Sequence, residues 1–223
     1  FTHHDIFRLP NGNYLGIAEI VQNGPVPNGP WTPICYALYG PALCNGITEF
    51  FPWHGDKIIE WDAESKEEVW SWDVFDHFNM EDYDSLGGTW MDAYLANSAR
   101  FDWTHANAIW FDEDDSAVYL SSRHLSRITK IEYPSGNVLW NLGHELGSGD
   151  IDCGHDIGFS FQHSVTKLDN GNILTFNPST YKIPVMNDIP TNFNTKIFKN
   201  KGNNENTVNK SKAVGEPPLL LAI

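Results

Sequence analysis

The feature that most constrains this chain is a hairpin that returns. His4-Asp-Ile-Phe-Arg-Leu-Pro-Asn-Gly-Asn-Tyr-Leu15 and His163-Ser-Val-Thr-Lys-Leu-Asp-Asn-Gly-Asn-Ile-Leu174 each set a histidine at the same distance from an Asn-Gly turn. Asn-Gly between alternating apolar residues is a strong hairpin signal, because both residues tolerate positive φ. A third segment, His105-Ala-Asn-Ala-Ile-Trp-Phe-Asp112 followed by Val118-Tyr-Leu120, also opens on a histidine. Repetition of this kind can gather histidines that are far apart in the chain.

A second hairpin follows the first. Gly55 to Trp72 reads strand, turn, strand, and Leu125 to Trp140 reads the same way with its turn at Ser135-Gly136. Ile58, Glu60 and Asp62 alternate with Ile59, Trp61 and Ala63, the pattern of a half-buried strand. Helix signals are poor. Four short antiparallel strands per unit, repeated every ~40–60 residues, predict an all-β chain of β-propeller blades. Insertions at 22–54 and 73–103 lengthen the first unit. On this reading residues 1–178 form a partial propeller of two blades and the opening hairpin of a third, and the chain is a fragment. Trp61, Trp70, Trp72 and Trp140 are expected to pack between blades.

Residues 179–223 break the pattern. Asn, Lys and Thr dominate 187–212, and all nine tryptophans precede residue 141. A segment so poor in apolar residues cannot offset its ordering entropy. It reads as an irregular or disordered tail, or as a mis-joined or frame-shifted stretch. Charge divides there too: residues 182–223 carry +3, so the remainder carries −18 of the −15 total. That acidity argues against nucleic acid and anionic membranes as partners. Leu219 to Ile223 is too short to span a bilayer. Cys35 and Cys44 can close a loop disulfide, leaving Cys153 odd, or all three are free thiols.

If the histidines lead the innermost strands, His4, His105 and His163 share one funnel mouth, with Thr104, Asn107, Ser122 and Arg123 beside them. Arg123 is then a fixed cation among imidazoles, which suits a sulfate or phosphate ester. The competing readings are plain. A single histidine in a β-protein is usually a hydrogen-bonded structural residue. His3-His4-Asp5 and His155-Asp156 superficially fit a metal site, but no compact ligand cluster appears, so no metal is expected. Asp112 to Asp115 reads as a solvated turn rather than a calcium loop.

Asp102-Trp-Thr-His-Ala-Asn107, Ser121-Ser-Arg-His-Leu-Ser126, Gly136-Asn-Val-Leu-Trp-Asn-Leu-Gly143 and Gln162-His163-Ser164, in that order, resemble the motifs of the arylsulfotransferase family. These are bacterial-type, PAPS-independent aryl sulfotransferases built on a six-bladed propeller. The resemblance covers residues 1 to about 176. It implies His163 as the transiently sulfated histidine, with His105, Asn107, Arg123 and His4 in support and His3 as the rival for the last place. It further implies an aryl sulfate donor, a phenolic acceptor, no cofactor and a periplasmic or secreted location, with a homodimer as a candidate assembly. The bacterial family's remaining blades and small N-terminal domain are not found here, and its loop cysteines have no secure match in Cys35 and Cys44.

The chemistry agrees with the residue types. Imidazole is a neutral nucleophile at neutral pH. Arg123 and neighbouring donors would stabilise the sulfuryl oxygens, and His105 or His4 would carry the phenol proton. Two alternatives stand beside this one. Ser-Gly-Asn-Val-Leu-Trp is reminiscent of the packing motif of quinoprotein dehydrogenases, which use a quinone and calcium. A non-catalytic binding propeller is the other.

Overall fold

A computed structural model describes residues 2–25, 36–37, 40–42, 51–80, 82, 101–143, 146, 151–152, 159–177 and 219–222. The cysteines, His155-Asp156 and residues 178–218 lie outside these. The elements are β1 (Thr2–Arg8), β2 (Tyr14–Gly24), β3 (Phe51–Trp61), β4 (Glu68–Asp73), the short helix α1 (Val74–His77), β5 (Phe101–Asp102), β6 (Ala106–Asp112), β7 (Ala117–Ser122), β8 (Arg127–Glu132), β9 (Val138–Gly143), β10 (Ile151–Asp152), β11 (His163–Lys167), β12 (Ile173–Asn177) and β13 (Leu219–Ala222). A 3₁₀ turn at Arg123–Leu125 joins β7 to β8.

Both Asn-Gly turns close with the same bonds. Leu9 and Asn13 pair, Gly12 N–H donates to Leu9 O, and Gly12 has φ +92°. Leu168, Asn172 and Gly171 repeat this, with Gly171 at φ +83°. Each sheet then runs antiparallel outward from its first strand: β1-β2-β3-β4, β6-β7-β8-β9, and β11-β12-β13. Short parallel pairs add β5 to β3 and β10 to β9. The described residues are nearly all β, with two blade-like sheets built on four antiparallel strands and a third of three, in line with the repeat. Leu219–Ala222, within the stretch expected to be irregular, form a strand against β12. The first insertion is shorter than predicted, since β2 continues to Gly24 and β3 begins at Phe51.

The second sheet is packed on both faces. Ile109, Phe111, Val118, Leu120 and Ile131 face the first sheet, meeting Leu15, Ile17, Ile58 and Trp72. Ala108, Ala117, Tyr119, Ile128 and Leu142 meet Val165 and Ile173 of the third. Hence β7 is buried along its whole length. Each large apolar side chain so buried contributes roughly 1.5–3 kcal/mol, against about 1 kcal/mol for a hydrogen bond. Apolar contact therefore holds the sheets together, while polar contacts set their register.

Those polar contacts are specific. Trp70 and Trp72 of β4 donate their indole N–H to Pro134 O and Gly136 O at 2.8 and 3.0 Å, on the β8–β9 turn of the next sheet. Trp140 packs against the cluster that joins the second sheet to the third, as expected, whereas Trp61 departs from that role. Trp61 lies over Gly16 of its own sheet, and Trp140 stands edge-on to Tyr119. Buried Glu60 accepts from Asn11, Asn13 and Tyr133, which ties the first hairpin to the second sheet. The Asp112–Asp115 turn is more than a solvated one: Asp112 pairs with Lys167, and Asp115 with Lys130 and Lys167.

Candidate functional site

The first strands β1, β6 and β11 pack side by side, so their leading ends converge. Counting back from each turn, the third pair is Phe7 with Leu15, Trp110 with Tyr119, and Thr166 with Leu174. Three residues earlier stand His4, Asn107 and His163. Asn107, rather than His105, thus occupies the repeated position in the second sheet. The turn there brackets four residues, Glu113 to Ser116, where the others bracket three. His105 sits at the corner before β6, with φ +46°.

His105 is the hub. Its Nδ1–H donates to Asp102 Oδ2 at 2.6 Å. Its ring lies 5.1 Å from that of His4 and stacks on His124 at 4.4 Å and 26°. Buried His124 donates from Nδ1 to Asp102 O at 2.6 Å and accepts at Nε2 from Arg123 Nη1 at 2.7 Å. Burial pushes the His124 pKa down to about 3, as an imidazole accepting from a guanidinium requires. Arg123 also lies over the Phe161 ring, 4.9 Å from its centre. His163 is half-buried, and its pKa is lowered by burial and then by Arg123, His105 and His4. Burial followed by His105 and His3 lowers that of the exposed His4.

The backbone around His163 is pinned on both sides. Asn107 Nδ2 donates to Gln162 O at 2.8 Å. Thr175 Oγ1 donates to His163 O and Ser164 O at 3.2 and 2.8 Å. The fully buried Gln162 donates to Ser121 Oγ, Ser122 O and Arg127 O. Such bonds hold the backbone that carries the His163 ring in one place.

Asp56 braces the other side. This buried carboxylate accepts from Thr104 Oγ1 at 2.5 Å, Ala106 N–H at 2.6 Å and His3 Nε2 at 3.1 Å. Its hydrogen bond raises the His3 pKa. Thr104, expected beside the substrate, is fully buried beneath the cluster. His3 is anchored to Asp56, whereas His4 turns toward His105. The structure thus brings together His4, His105, Arg123 and His163, with Asn107 behind them.

Sequence reasoning gave no role to His124 or Asp102. Both lie inside motifs already singled out: His124 follows Arg123, and Asp102 precedes His105 by three positions. By residue type, Asp102, His105 and His124, with ligand-capable atoms within 4.8 Å of one another, resemble a metal site. Their hydrogen bonds argue otherwise. Both His124 nitrogens are engaged, and a dication there would face the Arg123 guanidinium.

The sequence model of the arylsulfotransferase (ASST) family aligns with part of this chain. Residues 50–151 match that family. The arylsulfotransferase match contains Asp102, His105, Asn107, Arg123 and His124; His4 and His163 lie outside it. Likeness of another kind appears among curated proteins. Indole-3-acetaldehyde oxidase of Arabidopsis thaliana is 39% identical over 94 residues, 42% of this chain and 7% of that protein. Xanthine dehydrogenase of Dictyostelium discoideum is 42% identical over 92 residues, 38% of this chain and 7% of that protein. Xanthine dehydrogenase/oxidase of Gallus gallus is 39% identical over 103 residues, 46% of this chain and 7% of that protein. The chain therefore spans about 7% of the length of these curated relatives.

Proposed function

We propose that this chain carries the centre of an arylsulfotransferase-like enzyme that moves a sulfuryl group from an aryl sulfate to a phenol through His163. The observation that carries the reading is the convergence of His4, His105 and His163 beside Arg123 at the meeting ends of β1, β6 and β11. The family match at residues 50–151 supports the reaction class.

His163, with its lowered pKa, is unprotonated at neutral pH and free to attack sulfur. The sulfuryl oxygens carry negative charge throughout, and Arg123 is a cation already oriented by His124 and Phe161. Attack by a ring nitrogen forms an S–N bond as the S–O bond to the aryl oxygen breaks. The departing oxygen takes a proton from a neighbouring imidazole. The acceptor phenol reverses these steps, and His163 is regenerated. As a proposal for the organisation, residues 1–178 form part of a propeller, and Leu219–Ala222 of the segment 179–223 add a strand to its third sheet.

The test is release of phenol by the full-length protein from an aryl sulfate without acceptor. A burst of one phenol per site, followed by turnover only when a phenolic acceptor is added, supports the reading. Binding of the aryl sulfate with no release of phenol overturns it.

A further inference from the structure

The pair Asp102–His105 has a geometry that a merely structural ion pair does not need. Asp102 is held at three points. Its backbone lies opposite His54 in the β5–β3 pairing, and the next residue, Trp103, donates its N–H to His54 O at 2.8 Å. Its carbonyl accepts from His124 Nδ1 at 2.6 Å, and its carboxylate accepts from His105 Nδ1 at 2.6 Å. The imidazole is confined as well. His124 stacks on one side, the His4 ring lies 5.1 Å away, and His105 O accepts from Arg123 N–H at 3.2 Å. The positive φ of His105, costly for a residue with a Cβ, turns the ring back over the residue three positions earlier. With Nδ1 committed to the carboxylate, Nε2 is the atom left to exchange a proton with a substrate.

We propose that Asp102 is a positioning residue that fixes the tautomer of His105 and makes His105, rather than His4, the proton carrier of the site. The proposal rests on the sulfuryl-transfer reading above. In the donor step His105 is an imidazolium. The S–O bond breaks with its electron pair passing to the aryl oxygen, and Nε2–H gives its proton to that oxygen, leaving phenol. His105 is then neutral, with Nδ1–H still on Asp102. In the acceptor step Nε2 takes the phenol proton as the new S–O bond forms. The S–N bond breaks and returns its pair to His163. No oxidant, reductant or further reactant enters. A carboxylate that orients an imidazole in this way fixes one tautomer and one ring orientation.

The test is a leaving-group series on the full-length protein and its Asp102→Asn variant, using aryl sulfates whose phenols run from strongly acidic nitrophenols to weakly acidic alkylphenols. A nitrophenolate leaves without a proton, so the variant should lose only a few-fold in kcat for such donors. For alkylphenyl sulfates the loss should reach about 100-fold, within the range of general acid catalysis, with KM nearly constant. A uniform loss across the series, or no loss, overturns the proposal. If Asp102→Asn does not fold, the ¹⁵N spectrum of the unmodified protein's histidines decides. A His105 Nδ1 that carries the proton, with that proton far downfield, supports the proposal, and an unprotonated Nδ1 overturns it. Failure of the parent protein to release any phenol would instead count against the sulfuryl-transfer reading, and the spectrum would still judge the pair.

Discussion

The ring of His124 lies against that of His105, centroids 4.4 Å apart, while its far nitrogen accepts from Arg123. Two imidazoles and a guanidinium can share so small a volume only if the buried ring stays neutral. His124 is thus a spacer that carries the site's cation without adding a second one.

Acid stability follows from that arrangement. The His124 pKa falls from 6.5 unfolded to about 3 folded, so the unfolded chain binds the extra proton between those values. The stabilisation is complete above pH 6.5 and is lost as pH falls, by on the order of 1 kcal/mol per pH unit. Urea unfolding between pH 7 and 4 should show this slope. In His124→Asn, which keeps a donor and an acceptor but does not titrate, it should be shallower. Equal slopes would remove His124 from the account.

Activity should respond to pH through His163. Its pKa lies below 6.5 because of burial first and Arg123 next, so protonation disables it only in acid. The acidic limb of kcat/KM for the donor should fall below pH 6.5. Arg123→Gln should lower the rate by about 100-fold or more, the scale of losing one charge-stabilising donor, and move that limb upward in pH. A limb that stays in place would show that Arg123 does not act on His163.

Asp56 is a stability residue. Asp56→Ala leaves the buried Thr104 hydroxyl and Ala106 N–H without their acceptor. Each orphan costs about 1–3 kcal/mol, so a total loss of about 3 kcal/mol is expected in denaturant unfolding. A loss below about 1 kcal/mol would mean that the β5–β6 corner is held by other means.

The parts of the fold legible in the sequence are those written locally. Gly12 and Gly171 take the positive φ that their turns require, and both turns close with the same bonds. The Trp70 and Trp72 hairpin announces its contact with the neighbouring turn through its aromatic repeat. What the sequence concealed depends on long-range partners. Counting from histidine to histidine matched His105 with His4 and His163, since nothing local reveals that the turn after β6 is one residue longer. Thr104 looked available because its acceptor, Asp56, is 48 positions away. His124 and Asp102 had no visible role because theirs is to hold Arg123 and His105.

Whether His163 itself carries the sulfuryl group is decided by peptide mass mapping after exposure to an aryl sulfate. The full-length protein, mixed with donor, without acceptor and quenched in base, should show one added sulfuryl group on the peptide containing His163. That group should vanish on adding a phenol and should be absent in His163→Ala. A sulfuryl group found on another residue, or phenol released at the parent rate by His163→Ala, would contradict the account.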